Sequence, residues 1–252
     1  MSFVLRNIPQ LVFFILGLLS IGILSFIAPK YKLHKMRSIP QIDAMKEAIG
    51  VCAEKGVPYV YTIGGTNLDS LPFGFDVAAV CEVGKNLAQT AAELNVRGFY
   101  SQSDATMNAM MRDYVRQGTM LAGHPERYRE EDVIWMSGGI VLGTIGLMER
   151  NNAGALIIWG DFGWATHLPM LELATRRGAF VICGESWSNE GTLSAFFTDL
   201  VSICEEQTIA GPYLSNNERQ TANIFGEDIF KLGYIGFIIL LYVLGLAKVN
   251  VL

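Results

Sequence analysis

The amino-acid sequence predicts an α/β domain built on a mainly parallel sheet, with a membrane-spanning helix at each end of the chain. Three observations carry that reading. Helix-like and strand-like patterns alternate through the middle of the chain, joined by short connections without a convincing hairpin turn. Two of the strand patterns are almost unbroken apolar runs, as expected where both faces of a parallel sheet are covered. Long uncharged apolar runs lie at both extremities.

The first of those runs, Asn7 to Pro29, has no charged side chain between Arg6 and Lys30. A bilayer crossing needs about 20 mainly apolar residues at roughly 1.5 Å each, and the run supplies them. A cleaved signal peptide is the alternative, but Pro29 follows Ala28 directly and no small-x-small cleavage pattern stands there. The second run, Leu232 to Ala247, is bounded by Lys231 and Lys248, which can snorkel, and carries Tyr234 and Tyr242 at headgroup depth. It is shorter, so an interfacial or buried helix is its alternative. Lys30, Lys32, Lys35 and Arg37 outweigh the terminal flanks in positive charge. By the positive-inside rule residues 30–228 face the cytoplasm, between spans at 7–29 and 229–248, with both termini on the opposite side of the cell membrane.

Two spans account for a hydrophobic content of 51% in 252 residues and leave one domain of ordinary size between them. A net charge of −5 with no basic patch argues against nucleic acid as a partner. The four cysteines, Cys52, Cys81, Cys183 and Cys204, form no CxxC pair and have no neighbouring His; they are expected to pack as small hydrophobes in a reducing compartment.

In chain order, Ser38 and Pro40 open a helix with Ile42, Met45, Ala48, Ile49 and Cys52 on one side, and Gly56 ends it. Val57 to Ile63 is a β-branched and aromatic strand stopped by Gly64-Gly65. Asp76 is placed to cap a helix whose apolar residues run from Val77 to Leu94 at helical spacing. Val96 to Ser101 is the second strand, followed by Ser103 and Asp104 as caps for a helix burying Met107, Met110, Met111, Tyr114 and Val115. Residues 118–132 form a polar excursion. Val133 to Met136 is the third strand, and Ser137 is expected to cap a helix with Gly139, Gly143 and Gly146 on one stripe. That stripe invites another backbone, from the sheet or from a second subunit. Ala155 to Trp159 and Ala179 to Cys183 are the apolar strands, separated by a helix closed by Arg176, Arg177 and Gly178. Residues 188–207 fit either one long helix or a shorter helix and a sixth strand at 200–203. The sum is a Rossmann-like, mainly parallel sheet of five or six strands with helices on both faces.

Ligands of such sheets bind beyond the carboxyl ends of the strands. That rule selects Thr66, Ser103, Asp104, Asp161, His167 and Glu185 as candidate ligand-binding residues, with Ser186 beside them. Grouped carboxylates could hold a divalent cation or share a proton, although Asp, Ser and Thr also serve there as simple helix caps. His167 is the one histidine in these loops and Asp161 its candidate orienting partner. No GxGxxG, GxxxxGK[ST] or GxSxG pattern is present, so no cofactor and no catalytic residue is named.

The C-terminal half reads IIWGDFGWATHLPMLELATRRGAFVICG, then DLVSICEEQTIAGPYLS, then FGEDIFKLGYIGF. It resembles an uncharacterised family of prokaryotic membrane-anchored α/β proteins known only as a domain of unknown function. Glu205-Glu206 followed by Gly211-Pro212-Tyr213-Leu214-Ser215, and the Gly226 to Lys231 lead into the second span, are its most telling pieces. The resemblance implies a sixth strand at 200–203 and a helix from Glu205 toward Leu214, and no activity.

With catalytic signatures absent, the sequence favours a membrane-anchored, non-enzymatic scaffold whose cytoplasmic domain forms a homo-oligomer through the Gly139, Gly143, Gly146 stripe. The rival reading is a small-ligand, metal or nucleotide-binding domain, hydrolytic if catalytic, using the carboxyl-edge loops. A third is an accessory subunit of a larger membrane complex.

Overall fold

The computed structural model describes residues 38–68, 76–163, 165–215 and 217–246, together with 14–19, 22–23, 26–27 and 30. The chain forms two compact units, residues 38–215 and residues 1–37 with 216–252. Much of the expected first span, including residues 7–13, lies outside the described residues, as do 247 and 248.

The 38–215 unit is built on six parallel strands in the order β3-β2-β1-β4-β5-β6. They are β1 (Tyr59–Gly64), β2 (Gly98–Gln102), β3 (Val133–Trp135), β4 (Ala155–Asp161), β5 (Phe180–Glu185) and β6 (Leu200–Ile203). Residues 188–207 are therefore not one helix: Leu200 to Ile203 pair in register with Ile182 to Glu185. The strand order runs outward from β1 to β3, then returns to β4 on the other side of β1. This is the doubly wound, Rossmann-like arrangement.

Its helices are α1 (Pro40–Lys55), α2 (Val77–Glu93), α3 (Ala105–Leu121), α4 (Ile140–Asn151), α5 (Leu168–Arg176), α6 (Ser188–Ser194), α7 (Glu205–Thr208) and α8 (Ala210–Ser215). Period-two alternation along the strands sorts the core into two layers. Tyr59, Tyr61, Tyr100, Ile157, Trp159 and Ile182 pack with α1, α2 and α3. Val60, Phe99, Leu156, Ile158, Val181 and Cys183 pack with α4 and α5. All seven residues of β4 are buried, which explains why its sequence is apolar up to the terminal Asp161. Each fully buried aliphatic side chain contributes about 1.5–3 kcal/mol, so this central strand anchors the sheet.

Local signals hold at most helix ends. Pro40 opens α1 and Gly56, in the left-handed region at φ 65°, closes it. Asp104 caps α3 by accepting from the Met107 amide at 2.8 Å. Three expectations are corrected. Asp76 stands before α2 but makes no cap hydrogen bond to it. Ser137 caps nothing: at φ 46° it begins a 3-10 turn, Ser137–Gly139, that precedes α4. Cys204 is exposed rather than packed, whereas Cys52, Cys81 and Cys183 are buried, and all four are free thiols. On the glycine stripe, a side chain at Gly143 would meet Met136 of the same chain and one at Gly146 would meet Arg150. Gly139 faces nothing within 4 Å.

The other unit contains α9 (Glu218–Leu246), whose first half carries Glu218, Glu227, Asp228 and Lys231 and whose second half is apolar. Residues 14–19 are helical, and a side chain at Gly17 would lie 2.7 Å from the Phe230 ring, so the N-terminal segment and α9 approach closely there. Among the described residues no helix is long and apolar enough to cross a membrane.

Candidate functional site

The strand order reverses between β1 and β4, and the loops leaving these strands are joined rather than open. The Gly65 amide donates to the Asp161 carbonyl at 2.5 Å, and the Asp161 amide donates to Thr66 Oγ1 at 3.1 Å. Ser103 donates its hydroxyl to the Gly64 carbonyl at 2.8 Å. Gly64 sits at φ 61° where any side chain would collide with the Asp161 carbonyl, and Gly160 lies equally close to the Ile63 carbonyl. The Gly65 and Thr66 amides, which a phosphate loop would offer to its ligand, are thus spent within the chain.

Beyond this seam the polar groups gather at the ends of β4 and β5. Asp161 accepts from the Gly163 amide at 2.8 Å and, on its other oxygen, from the Trp187 indole at 2.6 Å. Asp76, brought in by the start of α2, takes a short hydrogen bond from the Ser186 hydroxyl, which also lies 2.6 Å from the Gln207 side chain. A single hydroxyl proton cannot serve both. Turning the Gln207 amide so that its NH2 donates to Ser186 leaves that proton for Asp76.

On the opposite face of the sheet, Cys183 and Glu185 are two residues apart on β5 and so point the same way, toward α5 and α6. His167 stands at the N-cap position of α5, its ring 5.4 Å from that of Phe162. Its Nδ1 lies 3.4 Å from Glu185 Oε1, and its Nε2 lies 2.6 Å from Ser194 Oγ. Ser194 in turn donates to the Glu190 carbonyl at 2.9 Å, so its oxygen accepts from the imidazole. His167 therefore carries its proton on Nε2. His167 Nδ1 and both Glu185 oxygens are buried without a hydrogen-bond partner, in residues that are fully inaccessible.

Burial dominates the electrostatics here. It lowers the His167 pKa to about 4 and raises Glu185 well above the usual carboxylate range, an effect that Glu190, Asp161 and Asp76 reinforce. Both directions favour the uncharged forms over an ion pair. Burial also raises Asp161 and Asp76, against the opposing hydrogen bonds from Trp187 and Ser186 respectively. Among the described residues no Lys or Arg forms an ion pair with Asp76, Asp161 or Glu185. Left-handed backbone at Ala165 and Cys204, with φ of 54° and 57°, marks the same edge. Among the described residues, an open surface cleft of about 290 Å³ at the amino end of β2 is lined by Arg97, Arg127 and Asp132.

Of the six residues selected from sequence, Asp161, His167 and Glu185 reach the ends of β4 and β5, and Thr66 is tied to Asp161. Ser103 and Asp104 sit at the end of β2, occupied by the seam and by the α3 cap. Sequence reasoning missed Asp76, Cys183, Ser194 and Gln207. The Cys183-x-Glu185 spacing on a strand was the available signal for one of them, because it places a thiol and a carboxyl on one face. Ser194 and Gln207 arrive from separate elements and had no such signal. No curated protein and no solved structure matches the chain. A family model described as a domain of unknown function, DUF6754, matches residues 2–252, and the chain belongs to that family.

Proposed function

We propose that this protein is a membrane-tethered binding domain that takes a small ligand at the carboxyl edge of β4 and β5. The observation that carries the reading is the group of partnerless, fully buried polar atoms there, His167 Nδ1 and Glu185 Oε1 and Oε2. A buried polar group left unsatisfied costs about 1–3 kcal/mol, and native structures keep few of them outside functional sites. Acids gathered without a Lys or Arg partner favour a cation or a hydrogen-bond donor over a phosphate. The tether is supported by the second half of α9, where Leu232 and Tyr242 are each 68% exposed and Ile239 is 58% exposed. Apolar helix surface of that kind is solvated by lipid, with the basic residues 30–37 on the cytoplasmic side.

A second reading, self-association of the domain, is favoured by one feature of the β3 edge. Leu142 on α4 is 77% exposed and Trp135 on β3 is 56% exposed, beside a strand paired on one side only.

The test is thermal unfolding of the full-length protein in mild detergent against divalent cations, small amines and nucleoside phosphates. At least one of the first two classes is expected to raise the midpoint, and Glu185→Ala to remove the effect. No response to any class ends the binding reading. Light scattering on the same sample addresses the second, which a monomer at every concentration would rule out.

A further inference from the structure

We infer that His167, Cys183 and Glu185 bind one divalent transition-metal ion with the coordination habits of zinc. The inference rests on the carboxyl-edge binding reading and names the ligand class for it. One donor atom from each of the three residues lies within 4.8 Å of the others, and all three residues are buried.

The separation of His167 Nδ1 from Glu185 Oε1 is the most telling magnitude. At 3.4 Å it is too long for a direct hydrogen bond. Two donors bound to one tetrahedral zinc at roughly 2.0–2.1 Å would stand about 3.3 Å apart, so the spacing suits atoms that share an ion. The hydrogen bonding around the imidazole agrees. His167 gives its Nε2 proton to Ser194, which is anchored to the Glu190 carbonyl, and this fixes the tautomer with a bare Nδ1 facing Glu185 Oε1. Metal-bound histidines are held in the same way, with the outer N–H engaged by a second group.

Charge balance points in the same direction. A thiolate and a carboxylate around a divalent ion sum to zero, a buried centre with no stranded charge. A sulfur donor beside an imidazole selects zinc-like ions over magnesium or calcium, which require oxygen ligands. Three protein donors leave a fourth position for water or another small ligand.

Cobalt(II) added to chelator-treated, full-length protein in detergent provides the test. The expected result is one cobalt per chain with a thiolate-to-cobalt charge-transfer band, bleached by one equivalent of zinc, lost in Cys183→Ser and retained in Cys204→Ser. Absence of a stoichiometric band in the unmodified protein overturns the assignment, as does a band that follows Cys204. Should Cys183→Ser fail to fold, His167→Gln supplies the second variant, expected to weaken cobalt binding at least tenfold; unchanged binding would also overturn the assignment. If no cobalt band forms but another ligand still stabilises the protein in a Glu185-dependent way, the metal is wrong and the binding reading stands. If nothing binds, both fall.

Discussion

The two ends of the one sheet treat their carboxylates in opposite ways. At the amino end, Asp132 is buried and accepts two hydrogen bonds from Arg97 Nε, at 3.0 and 3.1 Å, and one from Nη2 at 2.6 Å. Nearby, Arg177 reaches Glu149 and Asn152. At the carboxyl end, Asp76, Asp161 and Glu185 are buried as deeply but among the described residues meet hydroxyl, indole and amide donors, or in Glu185 an imidazole too distant for a hydrogen bond. A buried charge is tolerable when an opposite charge faces it; without one the group becomes neutral or waits for a cation from outside. The first end thus pairs its buried acid with a base, whereas the second leaves its acids without an opposing charge among the described residues.

Breaking the paired end should have the largest effect. Arg97→Ala strands the Asp132 carboxylate, and the loss is expected at about 2 kcal/mol, below the roughly 3–5 kcal/mol of a fully buried pair because Arg97 is 45% exposed. Denaturant unfolding of the full-length protein would measure it, and a loss within experimental error would remove the contrast.

The unpaired end should respond in the opposite sense. Burial raises the Asp76 pKa, so the folded state keeps a proton that the unfolded chain gives up. The stability tied to this group is therefore complete at pH values below its ordinary pKa of 3.8 and declines as pH rises through the shifted value. Asp76→Asn should remove that slope and leave the variant more stable than the parent by about 1 kcal/mol near pH 7, with the two converging in acid. Midpoints compared between pH 3 and 8 would check this; parallel curves would mean that folding leaves the Asp76 pKa unshifted.

The smallest effect separates the two ends by access. Cys204 follows β6 at the carboxyl end and is exposed, whereas burial raises Cys52 to about 11 and Cys81 to about 12. A thiol reagent at pH 8 should modify Cys204 alone in the folded protein and all four cysteines after denaturation, with folded stability changed by less than about 0.5 kcal/mol. Mass spectrometry would show the count.

Legibility followed the range of the forces involved. β1, β2, β4 and β5, and the helices α1, α2, α3 and α5, were readable because periodicity and end signals such as Pro40 and Gly56 act within a few residues. Ser137 misled because the residues around it permit a cap, while the turn into α4 is set by how β3 meets its neighbours. The Leu200 to Ile203 segment was ambiguous for the same reason: pairing with β5 makes it a strand, and that partner is distant in sequence. At the site, Asp161, His167 and Glu185 were found by the rule for strand ends. Cys183 was set aside as core because its significance depends on a histidine sixteen residues earlier in the chain.

The sequence by itself determined that an alternating α/β chain would bury apolar strands in a parallel sheet and leave acids in the loops beyond it, since residue type and spacing are enough to set which face is apolar. Only the tertiary structure decided which acids meet a cation and which do not. Charge interactions at 3 to 4 Å depend on strand order and register, and strand order is settled when the whole sheet assembles.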